Sequence, residues 1–189
     1  SEVVGSAAGI TYDADVRKVT IKVTDDGEGY LVAETSVEGD TTFTNTYKAE
    51  SVSYSVSQDV KVSKTLTGRD FGAGEFEFEL VENGNVVATA SNDAEGNVSF
   101  DALEYDEAGT HTYVVREAKG SLGGVTYDAS EYVVTVSVTD DGSGRLSAKA
   151  TSADGQIVFK NAYSAAPTSI TFGGTKVLTG AELAAGQFA

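Results

Sequence analysis

The chain of 189 residues carries 13 basic against 29 acidic side chains, for a net charge of −16, and 40% of it is hydrophobic. That length holds one or two domains with a buried core, and a surface so negative repels phosphate backbones and anionic headgroups, which argues against nucleic-acid and membrane-surface partners. Cysteine, methionine and tryptophan are all absent, which removes disulfides, thiolate metal sites and cysteine nucleophiles.

In chain order the predicted elements are nearly all β. An acidic turn at Asp25-Asp26-Gly27-Glu28 separates two β-type runs, and Val60 to Leu66 alternates with its even positions apolar. Glu75 to Leu80 alternates throughout, with Phe76, Phe78 and Leu80 on one face and glutamates on the other, as expected of a half-buried antiparallel strand. Asn83-Gly84 is a type I′ hairpin signal that returns the chain into Val86 to Ala90. Further runs are Val98 to Phe100, Thr110 to Glu117, Tyr132 to Thr139, Leu146 to Thr151 and Gln156 to Asn161, with Asp140-Asp141-Gly142 as another turn. Short strands at this spacing predict a β-sandwich.

The chain also repeats itself. Residues Glu2 to Ala33 align without a gap on Glu117 to Ala148, an offset of 115, with more than half of the positions identical. Phe43-Thr-Asn45-Thr-Tyr47 recurs as Phe159-Lys-Asn161-Ala-Tyr163, and the segment from Lys64 to Phe76 recurs from Lys176 to Phe188. The order of these matches makes 1–48 the back part of one repeat, 49–163 a complete repeat and 164–189 the opening of a third, so the chain is expected to be an interior piece of a string of similar domains. The connectors, Lys48 to Ser57 and Ser164 to Ser169, are short; the second holds the only proline, Pro167.

Applied to the repeating strands, the two-residue period puts one polar group on each apolar face: Lys64 in line with Val60, Val62 and Leu66, Glu117 in line with Tyr113 and Val115, and Asn161 between Phe159 and Tyr163. The partial repeats place Glu2, Asn45 and Lys176 equivalently. Burying a lysine, a carboxyl group and an amide separately costs several kcal/mol each, roughly, unless they satisfy one another, so they are expected to meet. A low-dielectric pocket favours neutral forms, and a neutral amine beside an amide carbon, assisted by a carboxyl group, has the ingredients of spontaneous isopeptide formation with release of ammonia.

Lys64 within Val-Ser-Lys-Thr-Leu-Thr-Gly, Glu117 within Tyr-Val-Val-Arg-Glu, Gly124-Val-Thr-Tyr-Asp128 and Phe-Lys-Asn161-Ala-Tyr together resemble the isopeptide-linkage domains of Gram-positive pilins and surface proteins, the FctA-like, CnaB-type domains. The resemblance implies tandem inverse-immunoglobulin sandwiches, all-β, in which Lys64 on the first strand is joined to Asn161 on the last while Glu117 assists. It further implies a structural repeat of an extracellular fibre or adhesin stalk at the bacterial cell wall. Its partners would be neighbouring repeats or identical subunits, and no cofactor or metal is called for.

Competing readings carry less. His111 lies in a strand with no hydrolase signature, and the acidic turns lack the spacing of a calcium loop. Paired carboxylates for a glycosidase have no pocket motif to support them. The strongest rival is an adhesive module that binds a host glycan or protein through its loops or through surface Tyr30, Tyr54 and Tyr105.

Overall fold

A computed structural model describes residues 1–187. The first 48 residues contain β1 (Ile10–Thr11), β2 (Lys18–Asp25), β3 (Leu31–Glu38) and β4 (Thr46–Tyr47), with β2 pairing β3 and β1 pairing β4, both antiparallel. Then come β5 (Val52–Tyr54), a 3-10 turn at Val56–Gln58, β6 (Val62–Thr67), β7 (Glu77–Glu82), β8 (Asn85–Ser91), β9 (Asn97–Val98), β10 (Leu103–Tyr105) and β11 (Gly109–Glu117). The last strands are β12 (Val125–Thr126), β13 (Glu131–Asp140), β14 (Leu146–Ser152) and β15 (Ile157–Tyr163).

From β6 onward all of these strands but β10, which pairs with β5, form two facing sheets. One has the order β14-β13-β11-β7-β8 and the other β12-β15-β6-β9. The alternation seen in the sequence is what lets them close on each other: Phe78, Leu80, Tyr113, Val115, Val134, Val136 and Val138 point inward from the first sheet, and Val62, Ile157 and Phe159 from the second. Phe159 bridges the layers, its ring 5.2 Å from those of both Phe78 and Tyr132. This is an all-β sandwich.

Local deviations have local causes. The strand expected to begin at Glu75 begins at Glu77, because the Phe76 amide donates to the buried Asn92 side chain (2.8 Å) instead of to a neighbouring strand. Phe76 nonetheless stays in the core. Asn83 and Gly84 both have positive φ, 50° and 81°, as a type I′ turn requires. A register shift between Leu80 and Val81 then lets Val81 be buried beside Leu80 where strict alternation would expose it.

The pairing that positions the candidate site is β6 with β15. These two strands lie side by side and parallel, from Ile157 opposite Val62 to Ala162 opposite Thr67. On one face of this pair stand Val62, Lys64, Ile157, Phe159 and Asn161, all buried.

Positions that correspond at an offset of 115 meet different environments. Val134, Val136 and Val138 on β13 are buried, whereas Val19, Ile21 and Val23 at the matching positions of β2 are 57%, 63% and 55% exposed. Within residues 164–187 no strand forms; Ile170, Phe172 and Val177 are exposed, so the alternating register expected around Lys176 has no ladder to express it.

Candidate functional site

Lys64, Glu117 and Asn161 come together between the two sheets. β6 supplies the lysine, β15 the asparagine, and the end of β11 in the opposite sheet the glutamate. All three are buried, and the Lys64 and Glu117 side chains are fully so. The Glu117 carboxyl group spans the other two: Oε2 accepts from Lys64 Nζ at 2.8 Å, and Oε1 accepts from Asn161 Nδ2 at 2.7 Å. Lys64 Nζ also lies 4.6 Å from the centre of the Phe76 ring. Burial pushes the Lys64 amine below its ordinary value, against the opposing pull of the Glu117 hydrogen bond.

The amide carbonyl is held by a group that the sequence did not announce. Asn161 Oδ1 accepts from the Asp128 backbone N–H at 2.7 Å, while Glu117 meets the amide on its nitrogen. Asp128 is fixed in turn because its side chain accepts from the Ser130 amide (2.9 Å) and from the Lys160 amide on β15 (2.7 Å). Burial works to raise the Asp128 carboxyl, but hydrogen bonds from Ser130 and Lys160 and the nearby Lys64 charge outweigh it and hold the group below the usual range. The signal for this clamp was the recurring Thr-Tyr-Asp of residues 11–13 and 126–128.

Residues 1–48 hold a matching half of this arrangement. Asn45 Nδ2 donates to Glu2 Oε1 at 2.7 Å, and Asn45 Oδ1 accepts from the Asp13 amide at 2.8 Å. Glu2 Oε2, at the position where Glu117 carries Lys64, is buried and has no hydrogen-bond partner. Lys176 lies in the strand-free segment and has an interaction of its own.

Other expectations are revised. Of the three tyrosines offered as a binding surface, only Tyr30 is exposed, at 73%. Tyr54 and Tyr105 are core residues on the paired strands β5 and β10: Tyr54 donates to Asp59, and the Tyr105 and Tyr113 hydroxyls share a hydrogen bond of 3.0 Å. His111 is structural, with Nδ1 2.9 Å from Glu82 Oε1 and its ring stacked on Tyr113. In the acidic turns the carboxylates accept backbone amides, as Asp141 does from Ser143 and Arg145, and Asp93 from Glu95 and Asn97. No helix among the described residues is long and apolar enough to cross a membrane.

A two-sheet sandwich that buries an amine and an amide on the neighbouring strands β6 and β15, with an acid facing them from β11, defines a pilin-type, isopeptide-containing structural domain. The family model for Spy0128-like isopeptide containing domains, FctA, matches residues 1–48 and 60–164, and the chain belongs to that family. No curated protein matches the chain.

Proposed function

We propose that this protein is a load-bearing unit of an extracellular bacterial fibre or stalk, made inextensible by a self-formed amide between Lys64 and Asn161. The observation that carries this is the Glu117 carboxyl group, which touches both reacting nitrogens. Its position suits a proton relay. Glu117 takes a proton from Lys64, and the neutral amine attacks Asn161 Cγ while the Asp128 N–H stabilises the charge that develops on Oδ1. The Nζ–Cγ bond forms, Glu117 hands its proton to Nδ2 so that the Cγ–Nδ2 bond breaks and the nitrogen leaves as ammonia, and the second proton shed by Nζ passes to the Glu117 carboxylate. Burying the unreacted ion pair is costly, and the reaction replaces it with a neutral amide.

The placement on parallel neighbouring strands supports the mechanical role, since tension entering at β6 leaves at β15 through the crosslink and the intervening chain carries none. The matching half-site at Glu2 and Asn45 supports a tandem array of such units, divided at 1–48, 49–163 and 164–189, with neighbouring repeats or identical subunits as partners at the cell surface. The reaction is a single turnover of the protein on itself; no multiple-turnover enzyme is proposed. Intact-mass measurement tests the central step. The wild-type chain should be lighter than its sequence by one ammonia, about 17 Da, and the Glu117→Ala variant should have its full sequence mass. A wild-type mass equal to that of the sequence, or ammonia loss that survives in Glu117→Ala, would refute the assignment.

A further inference from the structure

Residues 1–48 and the sandwich C-terminal to them are joined by a built contact, outside the crosslinking site. Tyr47, at the end of β4, donates its hydroxyl to Asp140 Oδ1 at 2.7 Å and accepts from the Gly144 amide at 3.0 Å. The Asp140 hydrogen bond raises the phenol above its ordinary value. The connector is tied on both sides. The Lys48 amide donates to Gly9 O, the Glu50 amide donates to Gly144 O, and Glu50 O accepts from Leu146. Close approach is enforced by two glycines with positive φ: a Cβ on Gly9 would fall 2.7 Å from the Tyr47 ring and 3.0 Å from Gly144 Cα, and one on Gly144 would fall 2.8 Å from Gly9 N.

Both halves of this contact occur a second time in the chain. The turn from Asp25 to Gly29 reproduces the turn from Asp140 to Gly144 bond for bond. Asp25 Oδ1 accepts from Gly27 and Asp140 Oδ1 from Gly142, while Asp26 accepts from Glu28 and Tyr30 as Asp141 does from Ser143 and Arg145. Gly29 and Gly144 have similar φ values, 92° and 87°. A Cβ on Gly29 would meet nothing within 4 Å, so the face that Gly9 covers on Gly144 is open here. At the other end Tyr163 closes β15 as Tyr47 closes β4. The Ser164 amide donates to Gly124 O at 2.9 Å as Lys48 does to Gly9 O at 2.8 Å, and Gly124 packs under the Tyr163 ring.

The geometry points to a reusable plug and socket: the Asp-Asp-Gly-x-Gly turn of each unit receives the strand-end tyrosine of the unit before it, so that the 25–29 turn of one copy of this chain docks Tyr163 of another, head to tail. The contact uses a side-chain phenol, a carboxylate and backbone groups only, so it does not depend on the linker sequence, which differs between Lys48-Ala49-Glu50 and Ser164-Ala165-Ala166. Within one chain the connector holds the two partners at high local concentration, whereas between copies the same contact is weak.

Two measurements on the full chain test it. Because the chain lacks cysteine, spin labels on Lys22→Cys and Asn85→Cys report the distance across the joint. The distribution should be narrow in the otherwise wild-type chain and broaden with Tyr47→Phe or Asp140→Asn; an unchanged width with either would overturn the joint. Between copies, the amide signals of Gly27 and Gly29 should shift as the labelled chain is concentrated from the micromolar to the millimolar range, and Tyr163→Phe or Asp25→Asn should abolish the shift. No concentration dependence, or one that persists in Tyr163→Phe, overturns head-to-tail docking. None of these substitutions touches Lys64, Glu117 or Asn161, so ammonia loss should persist in all of them, which separates failure of the joint from failure of the crosslink.

Discussion

Replacing Asn161 with alanine removes the electrophile and leaves the strand order intact, so its mechanical consequence is calculable from the fold. In the crosslinked chain the shortest covalent path runs up β6 to Lys64, across the side-chain amide and out along β15. Without the amide, force first shears the parallel β6–β15 ladder, whose six register pairs run from Val62–Ile157 to Thr67–Ala162. It then extends the segment from 64 to 161, 97 residue steps in the numbering. At roughly 3.3–3.6 Å per residue that is about 320–350 Å of added contour. Single-molecule pulling of the chain between fixed handles reads this directly as the difference in final contour length between Asn161→Ala and wild type. The variant also loses the hydrogen bonds of Asn161, but a small loss of stability changes the unfolding force and not the contour. Equal contour lengths would refute the load path and with it the stalk reading. Melting gives a second readout: closing a loop of this size removes denatured-state entropy worth on the order of 4–5 kcal/mol by analogy with a disulfide, so the variant should melt on the order of 15–25 °C lower.

Asp128→Ala removes the side chain that fixes the loop whose N–H meets Asn161 Oδ1, and bond closure after refolding, followed by mass, should slow roughly 10–100-fold; closure at the wild-type rate would mean the clamp is idle. Alkaline stability should reflect Tyr54, whose phenol is pushed up from 10.0 to about 12 by burial and by its bond to Asp59. A raised folded value contributes stability that is intact below pH 10 and lost on rising through about 12, so the melting temperature should fall across that window, and Tyr54→Phe should flatten the fall. A synthetic peptide spanning residues 60–68, offered to the chain, should add at Asn45 with loss of one ammonia, about 17 Da, because it brings a lysine to the unpartnered Glu2 Oε2. Addition that survives Asn45→Ala would show that the peptide reacts elsewhere.

Much of the triad was legible because a strand converts sequence spacing into facing. Lys64, Glu117 and Asn161 each continue an apolar two-residue series, and the sandwich brings those three series to one interior point. The recurring Thr-Tyr-Asp marked Asp128 but not the role of its N–H, since every residue but proline has a backbone N–H and nothing in a side chain says where it aims. Tyr54 and Tyr105 were misread as surface groups because β5 and β10 are too short for alternation to register, and their burial depends on these two strands pairing at long range in the chain. The Tyr47 contact escaped for a related reason. The repeated Phe-x-Asn-x-Tyr marks the tyrosine, but its partner Asp140 lies 93 residues away in the chain.

The side-by-side placement of the first and last core strands also bears on damage. With residues 64 and 161 joined, the backbone between them and the side-chain amide form a closed ring, and the ring is connected to the rest of the chain only at those two residues. A protease that cuts any single peptide bond inside the ring, such as those in the Asn83-Gly84 hairpin or the loop from Ala118 to Gly124, opens it into two branches, one on each joined residue, without parting the two ends of the chain. Severing the molecule there takes two breaks, one in the ring backbone and one in the crosslink, whereas a single cut outside the ring is enough. Survival of a fibre of such units under digestion would then be set by its connectors, the stretches between one ring and the next, and the number of loops exposed on each sandwich would matter little to its lifetime.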